Sequence, residues 1–352
     1  MRLCVVVTAR ASWARLQTIV EALRRQEAQG RCTVQLVWAG AAVLDEYGDV
    51  SDPSDARDER IVNVLAGTTH EGMAAETGLL LIHLAALFTR TRPDLVLVCA
   101  DRHEVLAPAI AASYANIPVA HYLAGEVSGS IDHRVRDAIS QLASVYFPPT
   151  QAAAARLQAM GVSGPIYVCG CASIDLAMVA AATPTPHAPI VVVQHAVTTE
   201  ADAAFAQATA TADAIRSLAR PVLWIWPGED AGGDHVNRAV RRLAAEGHAH
   251  LTFRRHIKAL PFLSLVAGSP CLIGNSSVGL RECSYLGTPV VNIGTRQRGR
   301  ERAAHAIDVP HDRVAILEAI QTQIAHGPYP SSLLYGRGDA GERIAEILCA
   351  GA

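Results

Sequence analysis

The stretch Gly274-Asn275-Ser276-Ser277-Val278-Gly279-Leu280-Arg281-Glu282 gathers glycine, small hydroxyl residues and a carboxylate at one junction. It follows the apolar run Cys271-Leu272-Ile273 and opens a segment of helical pattern that stops at Gly287. Pro289 then leads into Val290-Val291-Asn292-Ile293. A strand end feeding a helix start offers free backbone N–H groups and the positive end of the helix dipole, which suits an anion. Ser276 and Ser277 stand at that start, and Glu282 follows on the first turns of the helix, where a carboxylate can accept from sugar hydroxyls. Phosphate at the turn and hydroxyls at the carboxylate together suggest a nucleotide or nucleotide-sugar site.

A second set of chemically capable residues lies in the first half. Asp101-Arg102-His103-Glu104 closes the run Leu95–Cys99; Asp101 can face a cleft and Arg102 can neutralise phosphate, while an ordinary N-cap is the competing reading of Asp101. Glu126-Val127-Ser128-Gly129-Ser130-Ile131-Asp132 follows the strand ending at His121 and brings two more carboxylates, Glu126 and Asp132, toward the same edge. Three acids converging on a cleft raise one another's pKa, which suits acid/base work near neutral pH. Asp132 also fits as a cap on the helix that begins near His133. In the second half, His195 follows an apolar run and can donate to a diphosphate, with Thr198 and Thr199 able to cap the next helix. Gly294-Thr295-Arg296-Gln297-Arg298-Gly299-Arg300 is either an anion-facing segment or a solvated loop. Gly336-Arg337-Gly338-Asp339-Ala340-Gly341 fits G-x-G-x-x-G, but no strand precedes it, so it reads as a turn and helix cap.

The elements that must position these groups alternate throughout. Strands are expected at 2–8, 33–39, 94–99, 117–122, 144–147, 166–169, 189–193, 221–226, 249–253, 271–274 and 289–293, with helices at 14–28, 72–90, 104–115 and 151–160 among the stretches between. Continuous Val/Ile/Leu strands separated by helices mean parallel sheets covered on both faces. The segment 181–189 holds three prolines and no apolar period, and divides two similar halves. The expected architecture is α/β, with two Rossmann-like doubly wound domains facing across a cleft: residues 1–180, residues 181–335, and a closing helix in 336–352 that crosses back to the first domain. Ligands in such sheets sit beyond the carboxyl ends of the strands. That is where Arg10, Asp101, Arg102, Glu126, His195, Pro227 to Asp230, Ser276, Ser277 and Arg296 fall.

Composition narrows the function classes. The chain has 352 residues, enough for two domains, and is 50% apolar with a net charge of −3. No basic block suggests nucleic-acid binding. No run is expected to approach the ~18 apolar residues of a membrane-spanning helix, and the start reads as a strand rather than a signal peptide. The eight cysteines are scattered without C-x-x-C spacing and read as buried free thiols in a reducing cytosol. The fourteen histidines show no zinc-ligand spacing, so neither metal nor cofactor is expected.

With these residues in place, the chain resembles the hydrolysing UDP-N-acetylglucosamine 2-epimerases, in the branch that feeds sialic-acid and legionaminic-acid synthesis. The resemblance runs nearly end to end through Thr8-Ala9-Arg10-Ala11, Leu44-Asp45-Glu46-Tyr47-Gly48, Ala100-Asp101-Arg102 and the 125–132 block. It continues through Gln194-His195, the 274–282 block, Gly287-Thr288-Pro289 and Asn292-Ile293-Gly294-Thr295-Arg296-Gln297. It implies a GT-B fold and a UDP-sugar substrate, with Ser276 and Ser277 at the diphosphate, Glu282 on the ribose, and His195 and Arg10 as donors. It further implies elimination of UDP to a 2-acetamidoglucal and hydration with inversion at C2, with Asp101, Glu126 and Asp132 as the carboxylates. A cytoplasmic homodimer without metal or cofactor completes the expectation. The chain departs from the family pattern at Leu123, Ala124, Ala196, Asp137, Ser12, Arg15, Ala42 and Gly228. Several of these changes are expected near the sugar, where losing a polar donor at Leu123 would cost on the order of 1–3 kcal/mol of discrimination. Three other readings share the nucleotide site: a GT-B glycosyltransferase, a UDP-sugar-processing enzyme with an altered substrate or outcome, and a nucleotide-sugar sensor without catalysis.

Overall fold

The computed structural model describes residues 1–44, 57–65, 68–228 and 230–351. The first half runs β1 (Arg2–Val7), α1 (Arg10–Ala28), β2 (Thr33–Trp38), β3 (Glu59–Arg60), α2 (His70–Thr91), β4 (Leu95–Cys99), α3 (Leu106–Tyr114), β5 (Val119–Tyr122), α4 (Asp132–Leu142), β6 (Val145–Phe147) and α5 (Gln151–Ala159). Then come α6 (Ser173–Ala182), β7 (Ile190–Val193), α7 (Ala204–Arg216), β8 (Val222–Ile225), α8 (Gly233–Ala245), β9 (Leu251–Arg254) and α9 (Ala259–Gly268). The chain closes with β10 (Leu272–Gly274), α10 (Glu282–Leu286), β11 (Val290–Ile293), β12 (Ala306–Val309), α11 (Arg313–His326) and α12 (Ala340–Cys349).

Among the described residues two six-stranded sheets result, with orders β3-β2-β1-β4-β5-β6 and β12-β11-β10-β7-β8-β9. All their pairings are parallel. The two orders are the same doubly wound pattern. The period-2 pleat explains why these strands are apolar at every position. Leu3, Val5 and Val7 enter one core cluster while Cys4 and Val6 enter another on the opposite face. Ile190 and Val192 likewise part from Val191 and Val193. Strand order reverses between β1 and β4 in the first sheet, and between β7 and β10 in the second. Those four strand ends deliver Arg10, Asp101, His195 and Ser276, so the topology itself aims the expected site residues at one region.

Several expectations are corrected. Segment 166–169 forms only a single bridge, Tyr146 to Ile166, because it skirts the edge of the sheet beside β6. Strands β3 and β12 were not expected: β3 has two residues, and β12 is an edge strand whose Asp308 breaks the apolar run. Helix α2 spans 22 residues and holds an 18-residue window of mean hydropathy 1.5, long and apolar enough by composition to cross a membrane, contrary to the expected absence of such a run. Its Leu80, Leu84, Leu87 and Phe88 pack against the first sheet instead. Helix α6 serves both halves: Ile174 joins the first core, while Leu176, Ala177 and Ala180 join the second. Helix α12 packs Ala340, Ile344, Ala345 and Leu348 into the first core, and Asp175 accepts from the backbone N–H groups of Ala340 and Gly341 at its start. The eight cysteines are free, seven of them buried.

Candidate active site

A cavity of about 820 Å³ opens between the two sheets, walled by residues from both. Arg10, Asp101, Arg102 and Asp132 line it from the first half; His195, Ser276, Ser277, Glu282 and Arg296 line it from the second. Eight basic side chains and four carboxylates contribute to the lining among the described residues, so the cavity favours an anion.

Left-handed backbone at Ala100, φ 66°, turns the chain after β4 and presents Asp101 to the cavity. Asp101 caps no helix. It pairs with Arg136, a fully buried residue of α4 that also donates from Nη1 to the Glu126 carbonyl at 2.8 Å. Asp132 is the first residue of α4 but makes no capping hydrogen bond, so its carboxyl stays with the cavity. Burial raises its pKa, Arg296 at 3.9 Å pulls the other way, and Asp230 adds to the rise. The net shift is upward from the ordinary carboxyl value, toward the protonated form.

Glu126 differs from its expectation. It stands behind the cavity wall, buried, with Arg281 donating from Nε at 3.2 Å and a second guanidinium contact from Nη2; Arg300 lies 3.8 Å away. Burial pushes its pKa up, but Arg281 and Arg300 outweigh this and hold it below the ordinary value. The three acids therefore do not raise one another: each sits among different cations. Glu126 is the anchor of an arginine cluster rather than a group open to substrate.

The anion site also differs in origin. Residues 277–279 form a 3-10 turn and α10 has only five residues, too short to supply a strong dipole. Ser276 Oγ caps the turn, accepting weakly from the Val278 N–H at 3.5 Å. Positive charge is supplied instead by side chains. Arg15 donates to Ser277 Oγ at 2.9 Å, and Arg281 and Arg300 line the cavity from behind. Arg281 Nη1 and both Nε and Nη1 of Arg300 are buried without a hydrogen-bond partner. Burial lowers the Arg300 pKa to about 10, so it remains cationic at neutral pH. One oxygen of Glu282 is buried and unpartnered as well.

Asn275 ties these pieces together. It accepts from the His195 N–H at 2.8 Å and donates to the His195 carbonyl at 2.9 Å, while its own carbonyl accepts from Arg296 and Gln297. Gly274 allows this crossing: φ is +132°, and a Cβ there would meet the Val193 carbonyl oxygen at 2.1 Å. Burial lowers the His195 pKa to about 3, with Arg296 adding to the effect, so its imidazole is neutral. Thr198 and Thr199 cap nothing; the turn there starts from Val197 with no side-chain cap. Between the halves, Arg102 donates to Asp230 at 2.8 Å and Gly129 N–H donates to the Arg296 carbonyl at 2.9 Å.

The family departures fall mostly behind the site. Leu123 and Ala124 are fully buried in core clusters, so the expected loss of a sugar contact at Leu123 is not made there. Asp137 pairs with Arg156, both bonds at 2.7 Å. Ala42, Ser12 and Ala196 are buried, whereas Arg15 and Gly228 line the cavity. Residues 45–48 of the motif at 44–48, and Glu229 within 227–230, lie outside the described residues. Sequence reasoning passed over Arg136, although it stands one helical turn after Asp132. It met Asn275 and Arg281 only inside 274–282, Arg300 only inside 294–300 and Asp230 only as the end of 227–230, and gave none of them the role the structure shows.

A family model described as UDP-N-acetylglucosamine 2-epimerase matches residues 24–349. The UDP-N,N'-diacetylbacillosamine 2-epimerase (hydrolyzing) of Legionella pneumophila is 31% identical over 81% of this chain and 78% of its own length. The UDP-N-acetylglucosamine 2-epimerase of Neisseria meningitidis is 27% identical over 79% and 77%. The crystal structure of the Methanocaldococcus jannaschii UDP-GlcNAc 2-epimerase in complex with UDP-GlcNAc and UDP matches with TM-score 0.80 at 18% identity, over 100% of both chains. The two-sheet arrangement is the GT-B fold of such enzymes. By the extent of the family match and the identity to the Legionella enzyme, the chain belongs to the UDP-N-acetylglucosamine 2-epimerase family.

Proposed function

We propose that this chain is a hydrolysing NDP-sugar 2-epimerase acting on UDP-N-acetylglucosamine or a decorated analogue, releasing UDP and the free 2-epimeric N-acetylhexosamine. The observation that carries the reading is the cavity in which two first-half carboxylates, Asp101 and Asp132, oppose Arg281 and Arg300 of the second half, whose guanidinium groups keep nitrogen donors without a hydrogen-bond partner. Arg15, Arg281 and Arg300 bind the diphosphate with the 276–277 turn. Glu282 accepts from the ribose, His195 donates through its neutral ring, and the apolar wall at 257–263 meets the base. Asp101, paired with Arg136, removes the C2 proton as the C1–O bond to UDP breaks, leaving the 2-acetamidoglucal. Asp132 then delivers its proton to C2 on the opposite face while water attacks C1, and the proton that the water sheds returns to Asp132. Inversion requires removal and return on different faces, and so two separate groups. Residues 1–180 carry the acid/base groups, 181–335 hold the nucleotide, and 336–352 cross back. A cytoplasmic location and a homodimer enter this reading through the family alone.

The experiment is incubation with UDP-N-acetylglucosamine and no acceptor, followed by chromatography of nucleotide and sugar. UDP with free N-acetylmannosamine supports the reading. Epimerised UDP-sugar removes hydrolysis from it, and a requirement for an acceptor turns it into glycosyl transfer. Arg300→Gln is expected to weaken UDP binding about 10- to 100-fold by calorimetry, since hydrogen bonds to charged groups are worth roughly 1.5–3 kcal/mol. Unchanged affinity would remove Arg300 from the diphosphate site.

A further inference from the structure

Helix α4 carries Asp132, Arg136 and Ser140 at four-residue spacing, one above another on a single face. Asp132 lines the cavity and Arg136 holds Asp101. Ser140 reaches a third group, His121 of β5, with Oγ 3.1 Å from Nδ1. His121 is fully buried, and its Nε2 lies 2.9 Å from the carbonyl oxygen of Ala100. A carbonyl can only accept, so Nε2 carries the hydrogen; Nδ1 is then the lone pair, and the Ser140 hydroxyl donates to it. Burial lowers the ring's pKa to about 4, in keeping with that neutral tautomer.

Ala100 is the residue with φ 66° immediately before Asp101. Left-handed backbone is disfavoured for a residue with a Cβ, and it persists only where the surroundings hold it. The Ala100 N–H donates to the Tyr122 carbonyl at 2.9 Å, so His121 supplies the matching restraint on the carbonyl side. We propose that His121, oriented by Ser140, is a positioning residue for the reaction: it pins the left-handed Ala100 and thereby aims the Asp101 carboxylate at the reacting carbon. It touches neither substrate nor cavity. The inference rests on the role given to Asp101 above, and it makes α4 a common ruler for both reacting carboxyl groups.

The test compares His121→Leu, His121→Gln and Ser140→Ala. A misplacement of about 1 Å costs roughly 10²-fold in rate, so His121→Leu is expected to lower kcat by about that factor, with KM and the UDP dissociation constant within about threefold of wild type. His121→Gln, whose amide N–H can reach the Ala100 carbonyl, recovers at least a tenth of the wild-type kcat. His121→Leu added to Asp101→Asn causes no further loss, because both act through one carboxylate. Backbone amide exchange over residues 99–103 is measured on the same proteins without substrate. It accelerates in His121→Leu and in Ser140→Ala but not in His121→Gln. Wild-type kcat in His121→Leu, a full second loss in the double variant, or unchanged exchange overturns the proposal. Should His121→Leu not fold, Ser140→Ala and His121→Gln decide by the same readings. A wild type that releases no UDP ends the proposed function, while the exchange measurement still decides whether His121 pins the turn.

Discussion

Asp132→Asn is expected to lower kcat about 10²- to 10⁴-fold, the usual contribution of one general acid or base, with the affinity for UDP nearly unchanged. The same substitution is expected to raise thermal stability at neutral pH. Burial raises the Asp132 pKa above the ordinary carboxyl value of 3.8, so its ionised form is disfavoured in the fold. The sign follows from linkage: a raised carboxyl pKa contributes stability below the unfolded value, and that contribution is lost as pH rises through the folded value. Asparagine never ionises, so the variant should gain over wild type above that window and lose the advantage below pH 3.8. Calorimetric melts at several pH values, set beside steady-state rates, check both parts. A variant that keeps its rate, or that melts lower than wild type at neutral pH, would contradict the role given to Asp132.

Glu126→Gln should show the opposite pattern. Glu126 is fully enclosed with Arg281 and approached by Arg300, both from the second half of the chain. Removing one charge from a buried pair leaves the other uncompensated, at a cost of roughly 3–5 kcal/mol. Burial raises the Glu126 pKa, and Arg281 and Arg300 more than offset it, so the net shift is downward from 4.5. Its stabilising contribution is therefore present above pH 4.5 and lost as pH falls through the folded value. Glu126→Gln is expected to melt well below wild type at neutral pH, to converge with it in acid, and to recover in part with UDP, whose diphosphate can pair with the freed guanidinium groups. If the variant is as stable as wild type while kcat falls about 10³-fold, Glu126 is a reacting carboxylate after all.

The contrast between these two acids shows what a sequence can carry. Strand positions were legible because buried parallel strands are apolar at every residue, as in Leu95–Cys99 and Ile190–Val193. Because ligands gather at strand ends, Arg10, Asp101, His195 and Ser276 followed from the strands. The partners of those residues were not legible. Arg281 lies 155 residues from Glu126, and no local pattern says that the two meet. The pKa directions depend on such meetings, which is why three acids near one edge looked mutually repelling and are instead separated by guanidinium groups. The 276–282 segment carried helix-start chemistry but folds as a 3-10 turn and one short helix, shifting the source of positive charge from the backbone to arginines. Leu123 looked like a changed substrate contact because its place in the motif is conspicuous. Its left-handed backbone, φ 61°, instead leaves the side chain in the core.

The central claim is that a C2 proton leaves and returns by way of first-half carboxyl groups while second-half arginines hold the departing diphosphate. Proton NMR of the reaction with UDP-N-acetylglucosamine in D2O tests it most directly. The account predicts free N-acetylmannosamine bearing deuterium at C2, with one UDP released per sugar. Product that retains its C2 proton would contradict it.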